Sequence, residues 1–267
     1  MTRPLITLTT DFGLTDGYVG AMKGVLLSLC PDANVVDVSH AVAPQDIQMG
    51  SVILRDIVGY YPAGAIHVVV IDPGVGTGRR ALVSRAGGQL FVGPDNGVFG
   101  PALRLLSPDK APEFWNVSDS PLAPSIRSST FHGRDLFAPI AAHLALGVRP
   151  EELGPTIDDP VGARAPACHQ TNDGLLGQVV SVDHFGNLTT NVPAIALGTA
   201  SRVEVTFPGR TSPPVTGLFR TYEEGPSGSP MALIGSSGHL EIAICRASAA
   251  ERLHVLRGAS VEVRLLN

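Results

Sequence analysis

The sequence predicts two architectures in tandem: an α/β domain built on a mostly parallel or mixed sheet with flanking helices, then a smaller, mainly β barrel or sandwich. Three observations predict this. Through the first half, strand-like apolar runs alternate with segments of helical period. Ile66-His-Val-Val-Val-Ile71 is a near-continuous β-branched run, the signature of a strand covered on both faces. After about residue 173, short strands recur between turn signals, with no convincing long helix until Ala247–Leu256.

Taken in order, Leu5-Ile-Thr-Leu-Thr-Thr10 reads as the first strand. Asp16 to Leu29 places Val19, Met22, Val25, Leu26 and Leu29 at helical spacing, with Pro31 just beyond as a stop. Val35-Val-Asp-Val38 is a second strand, and Asp46 to Tyr60 a second helix with Ile47, Val52, Ile53 and Ile57 on its apolar side. The run 66–71 follows. Ala81-Leu-Val-Ser and Gln89-Leu-Phe-Val form a hairpin that turns at Gly87-Gly88. Leu136 to Leu146 supplies another helix. The segment 154–166 is rich in turn formers and poor in periodicity. The expected division is therefore residues 1–160 as the α/β domain, 161–172 as linker and 173–267 as the β-rich domain. Strands are expected there at 176–182, 203–207, 231–234, 240–244 and 261–265.

Composition narrows the function. Of 267 residues, 44% are hydrophobic and 16% charged, which describes a folded chain rather than a disordered one. The 19 Lys and Arg against 24 Asp and Glu give a net charge of −5 with no basic block, so no nucleic-acid partner is expected. No stretch has the length of a membrane span or a signal-peptide core. The three cysteines, Cys30, Cys168 and Cys245, lack metal-type spacing and read most simply as thiols in a reducing cytoplasm, the expected location, with a single disulfide as the alternative.

Four polar clusters carry the chemistry. Asp11 follows the first strand in Thr9-Thr-Asp-Phe-Gly13, where open α/β sheets meet ligands; Asp16 beside it reads equally as a helix N-cap or a ligand contact. In Asp72-Pro-Gly-Val-Gly-Thr-Gly-Arg79-Arg80, a carboxylate leaves a buried strand and an arginine returns seven residues later. The loop lacks the Gly-Lys-Ser/Thr of a phosphate loop and leads into a strand rather than a helix, so it serves to set Asp72 opposite Arg79, as a site or as a structural ion pair. Ser129-Thr-Phe131-His132-Gly-Arg-Asp135 puts a histidine between an aromatic and a glycine at a helix entrance; no second ligand at a metal spacing accompanies it, and no G-x-S-x-G elbow exists. Asp183-His-Phe185-Gly-Asn187 fits a binding cluster or an ordinary Asx-type turn.

In this order, and with Pro94-Asn96-Gly97 and Ser236–Ala243 added, these motifs resemble the SAM (S-adenosyl-L-methionine) hydroxide adenosyltransferase family, relatives of the SAM-dependent fluorinases and chlorinases. The resemblance implies a homotrimer whose active sites lie where the N-terminal domain of one subunit meets the C-terminal domain of another. It implies hydrolysis of SAM to adenosine and L-methionine by attack of water or hydroxide at ribose C5′, with no cofactor and no metal. Asp72, Arg79 and His132 match the family's hydrolytic set. Asp11 would hold the ribose hydroxyls, and Asp16, Asp183, Ser236 and Ser237 would surround the amino-acid end. Phe185 and Tyr222 would stack on the adenine, whose edge Asn187 would read; Phe131 and Glu241 complete the implied binding set. Halogenases of this kinship commonly carry a tyrosine in place of the aspartate, so the sequence resembles the water-using branch. Two other readings stand beside it: a SAM-dependent chlorinase, and a non-catalytic adenosine- or SAM-binding protein. Cys245 stands where relatives often have asparagine, and Gln45 where the fluorinase has tryptophan.

Overall fold

The computed structural model describes residues 3–125, 127–162 and 166–266. The chain divides into two compact units, residues 1–164 and 165–267. The linker expected at 161–172 lies partly outside the described residues.

In the first unit, β1 (Leu5–Thr10), β2 (Asn34–Ser39), β3 (Ile66–Val70), β4 (Ala81–Ala86), β5 (Gln89–Pro94) and β6 (Glu113–Asn116) form one sheet in the order β2-β1-β3-β5-β4-β6. β2, β1, β3 and β5 run parallel, and β4 is antiparallel to both β5 and β6, so the sheet is mixed. Every residue of β3 is buried. Val68 and Val70 join the core under α1 (Tyr18–Leu29) and α4 (Ala138–Ala145), while Val69 and Ile71 join the core under α2 (Ile47–Val58) and α3 (Gly100–Leu106). Two covered faces explain why this strand reads as an unbroken apolar run instead of an alternating one.

Local chemistry sets the helix ends. Asp46 caps α2, its carboxylate accepting from Met49 N at 2.9 Å. Gly17, without a side-chain cap bond, is the N-cap of α1, so the capping reading of Asp16 does not hold. The helix expected at 136–146 is preceded by a wider, π-type turn, Gly133–Phe137, so helical structure already begins beside His132. The remaining helix of this unit, α5 (Pro150–Leu153), is a single turn.

The second unit holds β7 (His169–Thr171), β8 (Gly174–Val182), β9 (Leu188–Pro193), β10 (Arg202–Thr206), β11 (Val215–Thr216), β12 (Pro230–Ile234), β13 (His239–Ile244) and β14 (Ser260–Leu266). Its order is β11-β10-β14-β8-β9-β13-β12, with β7 paired to β8. The first half of β8 pairs with β14 and its second half with β9. A parallel bridge from Phe219 to Leu233 brings the two ends of the sheet together, which makes it a nearly closed barrel. The expected last helix shortens to α6 (Ala249–Leu253), capped by Ser248 and ended by His254 at φ 51°.

One buried polar network ties the first sheet together. His67 on β3 meets Thr7 Oγ1 through Nδ1 at 2.8 Å and Gln89 Oε1 through Nε2 at 2.9 Å, and the Gln89 amide donates to the Val58 and Tyr61 carbonyls. Burial pushes the His67 imidazole down to about 4, against the opposing pull of Gln89. The unfolded chain takes up this proton near pH 6.5 and the folded chain only near 4. Its contribution is therefore full above pH 6.5 and is lost as pH falls toward 4, by about 3 kcal/mol. A His67→Phe variant should show a flatter decline of melting temperature over that interval; an undiminished slope would assign the acid sensitivity elsewhere.

Candidate active site

The sheet order contains a topological switch between β1 and β3: the chain leaves β1 for β2 on one side and returns to β3 on the other. Ligands of open α/β sheets gather at the carboxyl ends of strands at such a point. Asp11 leaves β1 there and Asp72 leaves β3, from strands paired up to Thr10 and Val70.

Asp72 and Arg79 meet as a bidentate pair. Arg79 Nε donates to Asp72 Oδ1 at 2.8 Å, and Arg79 Nη2 donates to Asp72 Oδ2. The same Nη2 lies 2.8 Å from His132 Nδ1. Both charged side chains are nearly buried, 12% exposed for Arg79 and 5% for Asp72, and the guanidinium carbon lies 5.2 Å from the centre of the Phe137 ring. A guanidinium has no acceptor, so His132 Nδ1 must accept, which puts the proton of the neutral ring on Nε2. The His132 imidazole is held below its ordinary range, first by burial and next by the Arg79 charge, with Asp72 pulling the other way.

Glycine geometry brings the two loops together. Gly76 has φ 76°, and a Cβ there would lie 2.4 Å from the Ser129 carbonyl oxygen, so no other residue permits this approach. Beyond it, Asp135 accepts from Ser128 N at 2.8 Å and from Arg134 Nε at 2.5 Å, and these bonds lower its pKa, the Arg134 bond most. Phe131 packs edge-on against Phe12 and Tyr18, with centroids 5.8 and 5.2 Å away. Asp11 accepts from Gln45 N at 2.7 Å, and Gln45 adopts φ 66°. Asp16 is exposed and shows no contact with this group.

The second unit gathers another set. Asp183 Oδ1 accepts from Phe185 N at 2.9 Å and Asn187 N at 2.8 Å, and Oδ2 accepts from Asn187 Nδ2 at 2.9 Å. The cluster is thus an Asx-type turn, and it fixes Asn187 while leaving Phe185 74% exposed. Tyr222 donates to Glu241 Oε1 at 2.7 Å. Burial and then this carboxylate push the Tyr222 phenol up to about 12. Burial raises Glu241 in turn, and the Asp183 charge adds to it. Ser236 and Ser237 lie in the turn between β12 and β13; Ser236 is exposed, and the Ser237 carbonyl accepts from His239 Nδ1 at 2.8 Å.

The structure therefore joins Asp72, Arg79 and His132 directly, and it groups Asp183, Phe185, Asn187, Tyr222 and Glu241 within the barrel. Family comparisons cover both units. The models for the SAM hydroxide adenosyltransferase N-terminal and C-terminal domains match residues 6–154 and 177–262. The chain belongs to the SAM hydroxide adenosyltransferase family. A family relative from Thermus thermophilus, named (R)-S-adenosyl-L-methionine hydrolase, is 42% identical over 99% of this chain and 100% of its own length. A fluorinase from Nocardia brasiliensis is more distant, at 28% over 98% of this chain and 97% of its own. Among solved structures, an uncharacterized conserved protein from Thermotoga maritima aligns with TM-score 0.87 and 30% identity, covering 97% of this chain and 99% of that one.

Membership in the SAM hydroxide adenosyltransferase family does not by itself reveal how the site is braced. The sequence reading missed the Phe12–Tyr18–Phe131 cluster and the Gly76 approach to Ser129. A small residue at 76 and aromatics at 12 and 18 were visible, but only the fold makes them neighbours. In a titration followed by NMR, His132 should show a midpoint below 6.5 with the neutral ring protonated on Nε2. In Arg79→Met the midpoint should rise; a midpoint that stays put would show that Arg79 does not set this imidazole.

Proposed function

We infer that this chain hydrolyses S-adenosyl-L-methionine to adenosine and L-methionine. The reading rests on hydrolase relatives that align over nearly the whole chain, and the observation that carries it is one guanidinium joining Asp72 to His132 at the sheet's switch point. We extend to it the (R) configuration at sulfur that the relatives' name specifies.

The chemistry suits such a site. The sulfonium departs as a neutral thioether, taking the C–S electron pair, so the leaving group needs no acid. The nucleophile is the difficulty: water is weak and must approach C5′ in line with the breaking bond. Holding it there supplies up to about 7–11 kcal/mol, by analogy with oriented intramolecular reactions. With Nδ1 occupied by Arg79, His132 offers Nε2–H as a donor, which favours holding a hydroxide over accepting a proton from water. Asp72 offers the acceptor that orients the remaining O–H. In balance, SAM and water give adenosine, methionine and one proton.

Asp11 would take the ribose hydroxyls. Asp16, Asp183, Ser236 and Ser237 would receive the amino-acid end. Phe131, Phe185, Tyr222, Asn187 and Glu241 would enclose the nucleoside, with the Asn187 carbonyl oxygen as acceptor for the adenine amine. We place the complete site between the first unit of one copy and the second unit of another in a homotrimer, which gives the exposed Phe185 a surface to meet. No cofactor enters the balance. The three cysteines are free, which suits the cytoplasm, and among the described residues no helix is long and apolar enough to cross a membrane.

A halogenase would consume halide and release no proton, and a halide, unlike hydroxide, has no O–H to give the nearly buried Asp72 carboxylate, so only repulsion would remain between them. Separated sulfonium epimers should therefore be incubated with the protein while adenosine, methionine and proton release are followed. One proton per adenosine is expected, with the (R) epimer preferred. Asp72→Asn and His132→Ala should lower kcat on the order of 100-fold or more, with KM little changed. A halogenated nucleoside without proton release would favour the chlorinase, and binding without turnover would favour a sensor.

A further inference from the structure

A glycine-rich loop cannot by itself keep Asp72 and Arg79 in bidentate register, because its own backbone is free to adopt many conformations. Both ends of this loop are held from outside it by two consecutive residues that follow β5. The Asn96 amide nitrogen donates to the Ile71 carbonyl at 2.8 Å, immediately before Asp72. The Asp95 N–H donates to the Arg80 carbonyl at 2.9 Å, immediately after Arg79.

The side chain of Asp95 adds a second hold. It is only 2% exposed, and its Oδ2 lies 2.8 Å from both Nε and Nη2 of Arg80, while its Oδ1 accepts from Val161 N at 2.8 Å. Arg80 also donates to the Asp159 carboxylate and carbonyl, each at 2.6 Å. Two adjacent arginines thus diverge, Arg79 to Asp72 and Arg80 to Asp95. The Asn96 amide is itself oriented, since its oxygen accepts from Val98 N at 3.2 Å.

We propose that Asp95 and Asn96 are positioning residues for the hydrolytic set: together they clamp the residue before Asp72 and the residue after Arg79, and Asp95 draws off Arg80 so that Arg79 alone faces Asp72 and His132. The kinetic part of this rests on the SAM-hydrolase reading; the geometric part does not. Neither residue touches the substrate in this account. Their effect is on aim, and a misplacement of about 1 Å in such a set costs on the order of 100-fold in rate.

Asn96→Asp keeps the oxygen that holds Val98 and replaces only the donor facing Ile71; Asn96→Ala removes both. Each is compared with wild type by melting temperature, by kcat and KM for SAM, and by the His132 titration midpoint in the absence of substrate. The clamp predicts folded variants with kcat lower on the order of 100-fold, KM close to wild type and a His132 midpoint shifted upward as Arg79 moves away. Folded variants with wild-type kcat and an unmoved midpoint would overturn it. Failure of both variants to fold would also overturn it, in favour of a role in stability. A wild-type protein inert toward SAM, with the His132 midpoint still moving in the variants, would sink the hydrolase reading and leave the clamp intact.

Discussion

The Arg79 guanidinium is donor-only, planar and nearly buried, and it satisfies a carboxylate along one edge while Nη2 of that edge also reaches an imidazole through its other N–H. This sharing fixes two things at once: the orientation of Asp72 and the tautomer of His132. The pair is viable in a desolvated place only because it is bidentate and rests on the Phe137 ring. Removing one partner of a buried pair leaves the other unpaired, at about 3–5 kcal/mol. Stability and chemistry therefore pull the same way at this point.

The fold exists around that contact in a specific sense. Parallel β1 and β3 deliver Asp11 and Asp72 to neighbouring positions because the chain switches direction between them. His132 arrives from a different part of the chain, on the turn that opens into α4, and the Gly76 approach to Ser129 brings the two loops within reach. Meanwhile the barrel holds its own polar set in place through the Asp183 turn and the Tyr222–Glu241 bond. Each unit thus holds its own polar set in place by bonds made within that unit.

Much of this was legible in the residues. The β-branched run at 66–71 marked a strand covered on both faces, and the Gly-rich spacing between Asp72 and Arg79 foretold their meeting. The hairpin at Gly87-Gly88 stands as read, because two consecutive positive φ values demand what glycine supplies. Other elements were hidden for physical reasons. β9, with the sequence Leu-Thr-Thr-Asn-Val-Pro, is stabilised by its neighbours in the barrel and has little apolar period of its own. α3 is short and begins at Gly-Pro, which reads as a turn. Asp183 offered two readings, turn or site, and its bonds to Phe185 and Asn187 show the turn. Arg80, next to Arg79, pairs instead with Asp95, fifteen residues beyond it, and no local pattern carries that second pairing.

A sulfonium presents three carbons to an attacking oxygen, and only the geometry behind C5′ yields adenosine. Turnover in oxygen-18 water, followed by mass analysis of every product, therefore tests the account most directly. The account predicts adenosine carrying the heavy atom at its 5′ position and methionine carrying none. Label in homoserine or methanol, or adenosine formed without label, would contradict it, because the held solvent molecule would not be the group that displaces sulfur.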